Sequence, residues 1–289
     1  MTTGFHSQRV IFEDDTTLLD KTIELNDFRT GSLVFDYVTV DDILYIGSDL
    51  PFNSQYFDLS TVNAVAAVVS VDIWDGDSWN AAIDILDFTK VSGASLGRSG
   101  YVVFTPDLDN EPGWSIECDS EDITGLETTR IQDKYWARFK WDATLTPTTE
   151  IDYIGHKFSN DDELYSLYPD LNNTALLDAF APGEVSGTKT DWNEQTYQAA
   201  QDIIQDLWKR NIIWSDSQIL DFQLFKEASM HKTAQIIYSG LGGSQRDEAA
   251  AALVKYDTSK NLGRYNTDVN RDGQLTPGEK SIRTAAMSR

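Results

Sequence analysis

The stretch WNEQTYQAAQDIIQDLWKRN (192–211) places Tyr197, Ala200, Ile204, Leu207 and Trp208 at helical spacing. The next segment, DSQILDFQLFKEASMHKTAQIIY (216–238), repeats the pattern with Ile219, Phe222, Met230, Ala234 and Ile237. Residues three and four apart share a helix face, so each pattern is an apolar stripe that must be covered. Two helices are expected, over about 192–211 and 216–238; at ~1.5 Å per residue the second would run ~35 Å. Ser215 with Gln218 has the spacing of a reciprocal helix-start cap, and Gly240, Gly242 and Gly243 supply a left-handed exit. A third helix is expected from Ser244 or Asp247 through the alanine run at 249–252 to about Lys260. Lys226 interrupts the second stripe, with a stem long enough to lie along the surface.

Downstream lies DVNRDGQLTPGE (268–279). Calcium takes six to eight oxygens in a flexible shell, and this spacing offers them in the order of an EF-hand-type loop. Asp268, Asn270 and Asp272 point side-chain oxygens inward, and Gly273 makes the sharp turn. Gln274 gives its carbonyl, Thr276 acts directly or through water, and Glu279 closes the shell. Asp, Asn and Gly also favour metal-free turns, and Thr276 with Glu279 and Pro277 forms a helix-start box. That alternative explains the last four residues and not the first five. With three carboxylates and no second loop to pair with, the expected role of Ca2+ is structural.

The chain has 289 residues and a formal net charge of −24. That balance argues against wrapping nucleic acid, which needs Lys and Arg to displace counterions from phosphate. It is compatible with DNA passing an acidic surface without sticking. Residues 1–157 carry 10 basic and 28 acidic side chains; the remainder carry 13 and 19, which supports a boundary near 157. Cys118 is the only cysteine, so no intrachain disulfide is expected, in keeping with assembly in a reducing cytoplasm. Met1 to Asp20 lacks the apolar core of a signal peptide, and no stretch reaches the ~18 apolar residues of a membrane span.

From about Asp41 to Ile154 the pattern is all-β. Strands are expected at Ile43–Gly47, Tyr56–Leu59, Ala64–Trp74, Trp79–Leu86, Tyr101–Phe104 and Tyr135–Trp141, with a turn at Asp75–Ser78. Short strands at this spacing suggest a β-sandwich. Residues 1–40 read either as an arm or as the first strands of that domain, with Thr22–Leu25 and Leu33–Val38 as candidate strands. Short helices are expected at Ser159–Tyr168, capped by Ser159 or Asn160, and at Thr174–Phe180, followed by a loop over Pro182–Thr190. The fold class expected is therefore α+β and multidomain. Residues 1–40 form an arm or first strands, 41–157 the sandwich, and 158–289 a helical bundle with the loop at 268–279.

Trp74 and Trp79 are candidates for stacking on a sugar ring, against the alternative that they fill the sandwich interior or its rim. Asp72, Asp75 and Asp77 could supply an acid and a base for glycoside cleavage, but turn carboxylates are usually solvated. His6, His156 and His231 are isolated, and no nucleophile elbow, phosphate-cradling loop or dinucleotide fingerprint is present. No catalytic residue is assigned.

Leu44-Tyr-Ile-Gly-Ser48 with Pro51-Phe-Asn53 and Tyr56-Phe57, then Trp74-Asp-Gly-Asp-Ser-Trp79 and Tyr135-Trp-Ala-Arg138, together resemble a β-sandwich domain of tailed-bacteriophage structural proteins. The C-terminal part looks like head–tail connector or adaptor proteins, through Leu207, Ile219, Phe225, Lys232, Ile236-Ile-Tyr-Ser239, Lys255-Tyr256 and the calcium-type loop. The resemblance implies a non-enzymatic virion protein of the neck, assembled in the host cytoplasm as a ring homo-oligomer, a dodecamer in such families. Its partners would be the portal protein and tail or collar proteins, with DNA passing through unbound. A ring needs apolar helix faces against neighbouring copies, which casts Tyr197, Ile204, Trp208, Ile219, Phe222, Met230 and Ile237 as interface residues. Capsid decoration, fibre attachment and a calcium-stabilised carbohydrate-binding module are the alternatives.

Overall fold

The computed structural model describes residues 8–27, 29–39, 41–106, 113–131, 133–180, 189–262, 268, 271, 273 and 274. The fold is mixed α+β, with two antiparallel sheets and six helices. The chain separates into two compact units. One holds residues 1–156 with 215–220 and 268–276, and the other holds 157–214, 221–267 and 277–289. The boundary at His156 and Lys157 falls where the charge balance shifts. The loop region from Asp268, however, groups with the sheets rather than with the helices.

Among the described residues the two-sheet unit contains twelve strands. They are β1 (Arg9–Asp14), β2 (Thr17–Asp20), β3 (Leu33–Val34), β4 (Ile43–Ser48), β5 (Ser54–Thr61), β6 (Val69–Trp74), β7 (Trp79–Ala81), β8 (Ile83–Asp87), β9 (Gly100–Thr105), β10 (Ile116–Glu117), β11 (Lys134–Trp141) and β12 (Glu150–Gly155). The first sheet runs β2-β1-β4-β11-β6-β7, with β10 beside β11; the second runs β3-β12-β5-β9-β8. Alternation explains the layering. Val10 and Phe12, Leu44 and Ile46, Val71 and Ile73, and Ala137, Phe139 and Trp141 turn inward to one core. They meet Phe57, Val102, Phe104, Ile151 and Ile154 of the second sheet. Phe139 stands edge-on to Phe57 and Phe104, with ring centroids 5.7 and 6.0 Å away. Edge-to-face pairs of this kind add about 0.5–1.5 kcal/mol beyond their buried area.

The intervening residues of the first sheet build a second cluster. Ile11, Tyr45, Trp74 and Trp136 are buried with Ile123, Leu126 and Ile131 of the segment before β11. Gly47 is required here: a Cβ at that position would lie 2.9 Å from the Trp136 ring. Residues 9–20 are thus the first strands of the sheet, because β1 pairs with β4 from Arg9↔Gly47 to Glu13↔Ile43. Thr22–Leu25, expected as a strand, is one helical turn, α1, with Leu25 buried. The strand expected from Ala64 begins only at Val69, since 62–68 is a loop bonded to 93–96 through Asn63 and Ala67. The single strand expected at 79–86 is divided at Ala82, where the chain passes from the first sheet to the second.

The helical unit holds α2 (Asp161–Leu167), α3 (Thr174–Phe180), α4 (Asn193–Lys209), α5 (Lys226–Leu241) and α6 (Arg246–Leu262). Asn160 and Glu163 cap α2 reciprocally. Trp192 is fully buried, donates its indole N–H to the Leu171 carbonyl at 3.0 Å and packs edge-on to Phe180. The core gathers Leu164, Leu171, Leu177, Met230, Ala234, Ile237, Tyr238 and Ala252. Fully burying one such aliphatic side chain contributes roughly 1.5–3 kcal/mol. Asp206 ties α4 to α6, accepting from the Tyr256 hydroxyl at 2.9 Å and pairing with Lys260 at 3.1 Å. Lys226 pairs with Glu163 instead of lying free along the surface. Among the described residues no helix is long and apolar enough to cross a membrane.

The expected helix over 216–238 is broken, a correction to the periodicity reading. Ser215 and Gln218 do cap each other, but around a 3-10 turn at Asp216–Gln218. Ile219 then leaves helical geometry at φ −86°, ψ 86°, and the α-helix starts at Lys226 after a second 3-10 turn. The segment 215–220 is held in the two-sheet unit instead, by Ser217 against Ser48 of β4 and by the hydrogen bonds between Gln218 and Asp268.

Candidate metal centre

The sequence and structure converge on Asp268. Its residue is wholly buried. One carboxylate oxygen accepts from the Arg271 backbone N–H at 2.5 Å, the other from the Gly273 N–H at 2.9 Å. Closing the backbone over its own carboxylate demands left-handed residues, and Arg271 and Gly273 have φ of 65° and 77°. Arg271 is a costly residue there, whereas Gly273 is doubly suited. A Cβ on Gly273 would meet Trp114 Nε1 at 2.9 Å and Pro51 Cβ at 3.1 Å.

The main chain of Asp268 is fixed as firmly. Its N–H donates to the Gln218 carbonyl at 3.2 Å, and its carbonyl accepts from Gln218 Nε2 at 2.8 Å. Gln218 Oε1 accepts in turn from Ser215 N–H, and Ser217 shares a 2.5 Å hydroxyl contact with Ser48 of β4. Gln274 spends its side-chain amide on the Pro106 carbonyl at 3.2 Å. The loop is therefore seated on a cradle of Pro51, Pro106, Trp114 and the 215–220 segment, all of the two-sheet unit.

This arrangement suits the first ligand of an oxygen-coordinated cation. The two N–H groups orient the carboxylate. Gln274 is the described residue at the seventh position of the calcium-type spacing. Asn270, Asp272, Thr276 and Glu279 lie outside the described residues. Among the described residues no three His, Cys, Asp or Glu side chains stand close enough to hold a metal.

The other expected sites are placed as follows. Trp74 is 1% exposed inside the outer cluster, so its face is closed to a sugar. Trp79 is half-buried, donates its indole N–H to the Thr124 carbonyl at 2.9 Å and carries the Arg138 guanidinium 4.9 Å over its ring. The stacking role is corrected on those grounds. Asp72 pairs with both Arg138 and Lys140 at 2.7 Å. Burial alone would raise the Asp75 carboxyl, but hydrogen bonds from the Ser78 and Asp77 backbone, then from Asn80 and Ser78 side chains, hold it below the usual range. Both carboxylates are structural, one pinning a strand pair and the other a turn. Cys118 is exposed, and a hydrogen bond to Asp133 pushes its thiol up, away from the reactive thiolate.

Of the expected interface residues, Tyr197, Ile204, Ile219, Met230 and Ile237 are buried within the chain itself. Phe222 is half-buried, and only Trp208 is largely exposed, at 43%. The stripe read from periodicity is the chain's own core face, because the three helices cover one another first. The sequence reading missed Gln218, Pro51 and Trp114. The capping pair at Ser215 and Gln218 was the available signal, and it had been assigned to a helix start.

No protein-family model, no curated protein and no solved structure matches this chain.

Proposed function

We propose that this chain is a non-enzymatic structural protein of a tailed-bacteriophage virion, an adaptor that assembles as an oligomeric ring between the portal and the tail. The observation that carries the reading is the division into a two-sheet unit, residues 1–156 with 215–220 and 268–276, and a helical unit, the pairing of parts that the resemblance calls for. In this reading the sheets are the phage-type β-sandwich, and α4, α5 and α6 form the connector-like bundle. A net charge of −24 supports passage of DNA past the protein without capture.

Within that role the Asp268 loop binds a structural calcium ion. The buried, backbone-oriented carboxylate and the positive φ of Gly273 support it. Calcium there fixes the loop within the two-sheet unit, a clip rather than a signal. The test of the loop is a melting curve with calcium and with chelator. A curve that ignores both removes the metal but leaves the adaptor reading standing, and that reading is tested by finding or failing to find the protein in the virion neck.

A further inference from the structure

One end of the two-sheet unit carries two unlike halves. β6, β5, β8 and β9 meet there through the loops 62–68 and 88–99. These loops are joined by hydrogen bonds from Asn63 N–H to Leu96 O and from Ala67 N–H to Gly93 O. They expose Val62, Val65, Val68, Phe88 and Val91, each between 40 and 52%. No carboxylate occurs between Leu59 and Val71 or between Phe88 and Pro106, on a chain of net charge −24. The charged residues of these two loops are Lys90 and Arg98, both exposed. Arg9, Lys21, Arg29, Lys134, Arg138 and Lys140 of the same unit all enter ion pairs. Lys90 and Arg98 enter none among the described residues; the Arg98 Nε donates to the Phe88 carbonyl at 2.9 Å.

The other half of the same end lies two to four strands away, about 10–20 Å at the usual strand spacing. Here β1 ends, and the chain between β3 and β4 passes. Asp15 and Asp36 are exposed beside Asp14, Asp41 is exposed two residues before β4, and Val34 and Val38 are 55 and 42% exposed. None of these four carboxylates has a cationic partner among the described residues. The Asp14 carboxyl is raised by burial and then by Asp36, Asp42 and Asp15, the mark of an uncompensated acidic patch. Between the halves opens a groove of about 380 Å³, floored by Tyr37 and Trp141 and edged by Asp42, Asp142, Val68 and Lys140; Asp142 accepts from the Val68 N–H at 2.7 Å.

We infer that this end is a self-association surface, in which the valine-rich, cationic loops of one copy dock on the acidic, valine-bearing half and groove of a second copy. The charge pattern selects the occupant. An apolar tip with two unpaired cations fits a partner that is acidic with exposed aliphatics, and this chain presents that partner itself. The inference goes beyond the ring reading by moving a copy-to-copy contact from the helices to the sheet end, and it does not depend on where in a virion the protein sits.

Sedimentation velocity and light scattering of the full chain test it. The wild type is expected to exceed the 32.5 kDa of one copy and to dissociate as salt rises. Lys90→Glu with Arg98→Glu, and separately Asp36→Lys with Asp41→Lys, should each weaken association at least about tenfold with an unchanged melting temperature. An equimolar mixture of the two variants should associate again, which no misfolded variant could do. Val65→Asp gives an independent loss. A wild type that stays monomeric at about 100 μM, variants that associate as before, or binding of anionic vesicles without self-association would each overturn the inference. Association that survives the charge reversals sinks this surface while leaving the ring reading intact; absence from the neck does the reverse.

Discussion

Gln218 and Asp268, fifty residues apart, hold each other by two hydrogen bonds: Asp268 N–H to the Gln218 carbonyl at 3.2 Å, and Gln218 Nε2 to the Asp268 carbonyl at 2.8 Å. The pair fastens two distant stretches of chain to the two-sheet unit. Gln218→Ala deletes the second bond and leaves the buried Asp268 carbonyl short of a donor. A loss of about 1–3 kcal/mol is expected in urea unfolding. An unchanged midpoint would mean that the loop is not seated by Gln218.

Gly273→Ala adds a methyl where φ is 77° and where Trp114 and Pro51 already stand within 3.1 Å. The substitution should cost about 1–3 kcal/mol through overpacking plus backbone strain, read from the urea midpoint. An unchanged midpoint would contradict the cradle.

For the ion, Asp268→Asn keeps the size of the side chain but weakens both its grip on the loop N–H groups and its hold on a cation. Calcium at about a hundred times its dissociation constant should stabilise the wild type by roughly 2.7 kcal/mol and the variant far less. Calorimetric melts with calcium and with chelator read this directly. A wild-type curve that is blind to calcium refutes the metal.

His231 in α5 is buried, with Nδ1 2.8 Å from the Tyr168 hydroxyl and Nε2 3.5 Å from Glu227. Desolvation lowers its pKa below 6.5, partly opposed by Glu227 and aided by Lys255. A base whose folded pKa is depressed binds more protons when unfolded. Its contribution is therefore present above about pH 6.5 and is lost as pH falls through that value towards the folded pKa. His231→Gln should flatten the wild-type loss of stability below pH 6.5. Parallel stability–pH curves for the two proteins would contradict the assignment.

The helices were readable because α4 is one amphipathic segment and α6 carries an alanine run just past the glycines. Gly242, at φ 64°, ends α5 where the glycine run predicted it. Strands flanked by turns were readable too, β4 and β11 above all. The first strands were not, because the pairing of Arg9–Asp14 with β4 is set by tertiary contact rather than local pattern. Trp74 could be read as an interior residue, but its covering residues could not, since Ile123, Leu126 and Ile131 reach it only through the fold. The Asp268 loop was legible as a ligand spacing. Its seat was not, since Gln218, Pro51 and Trp114 reach it only through the fold.

The most direct test of the adaptor reading is cryo-electron microscopy of tailed virions that contain this chain, with the protein traced in the averaged map. The account predicts a ring of copies at the junction of head and tail, in contact with the portal. Virions whose neck lacks the chain, or in which it occurs as scattered single copies elsewhere, would contradict it.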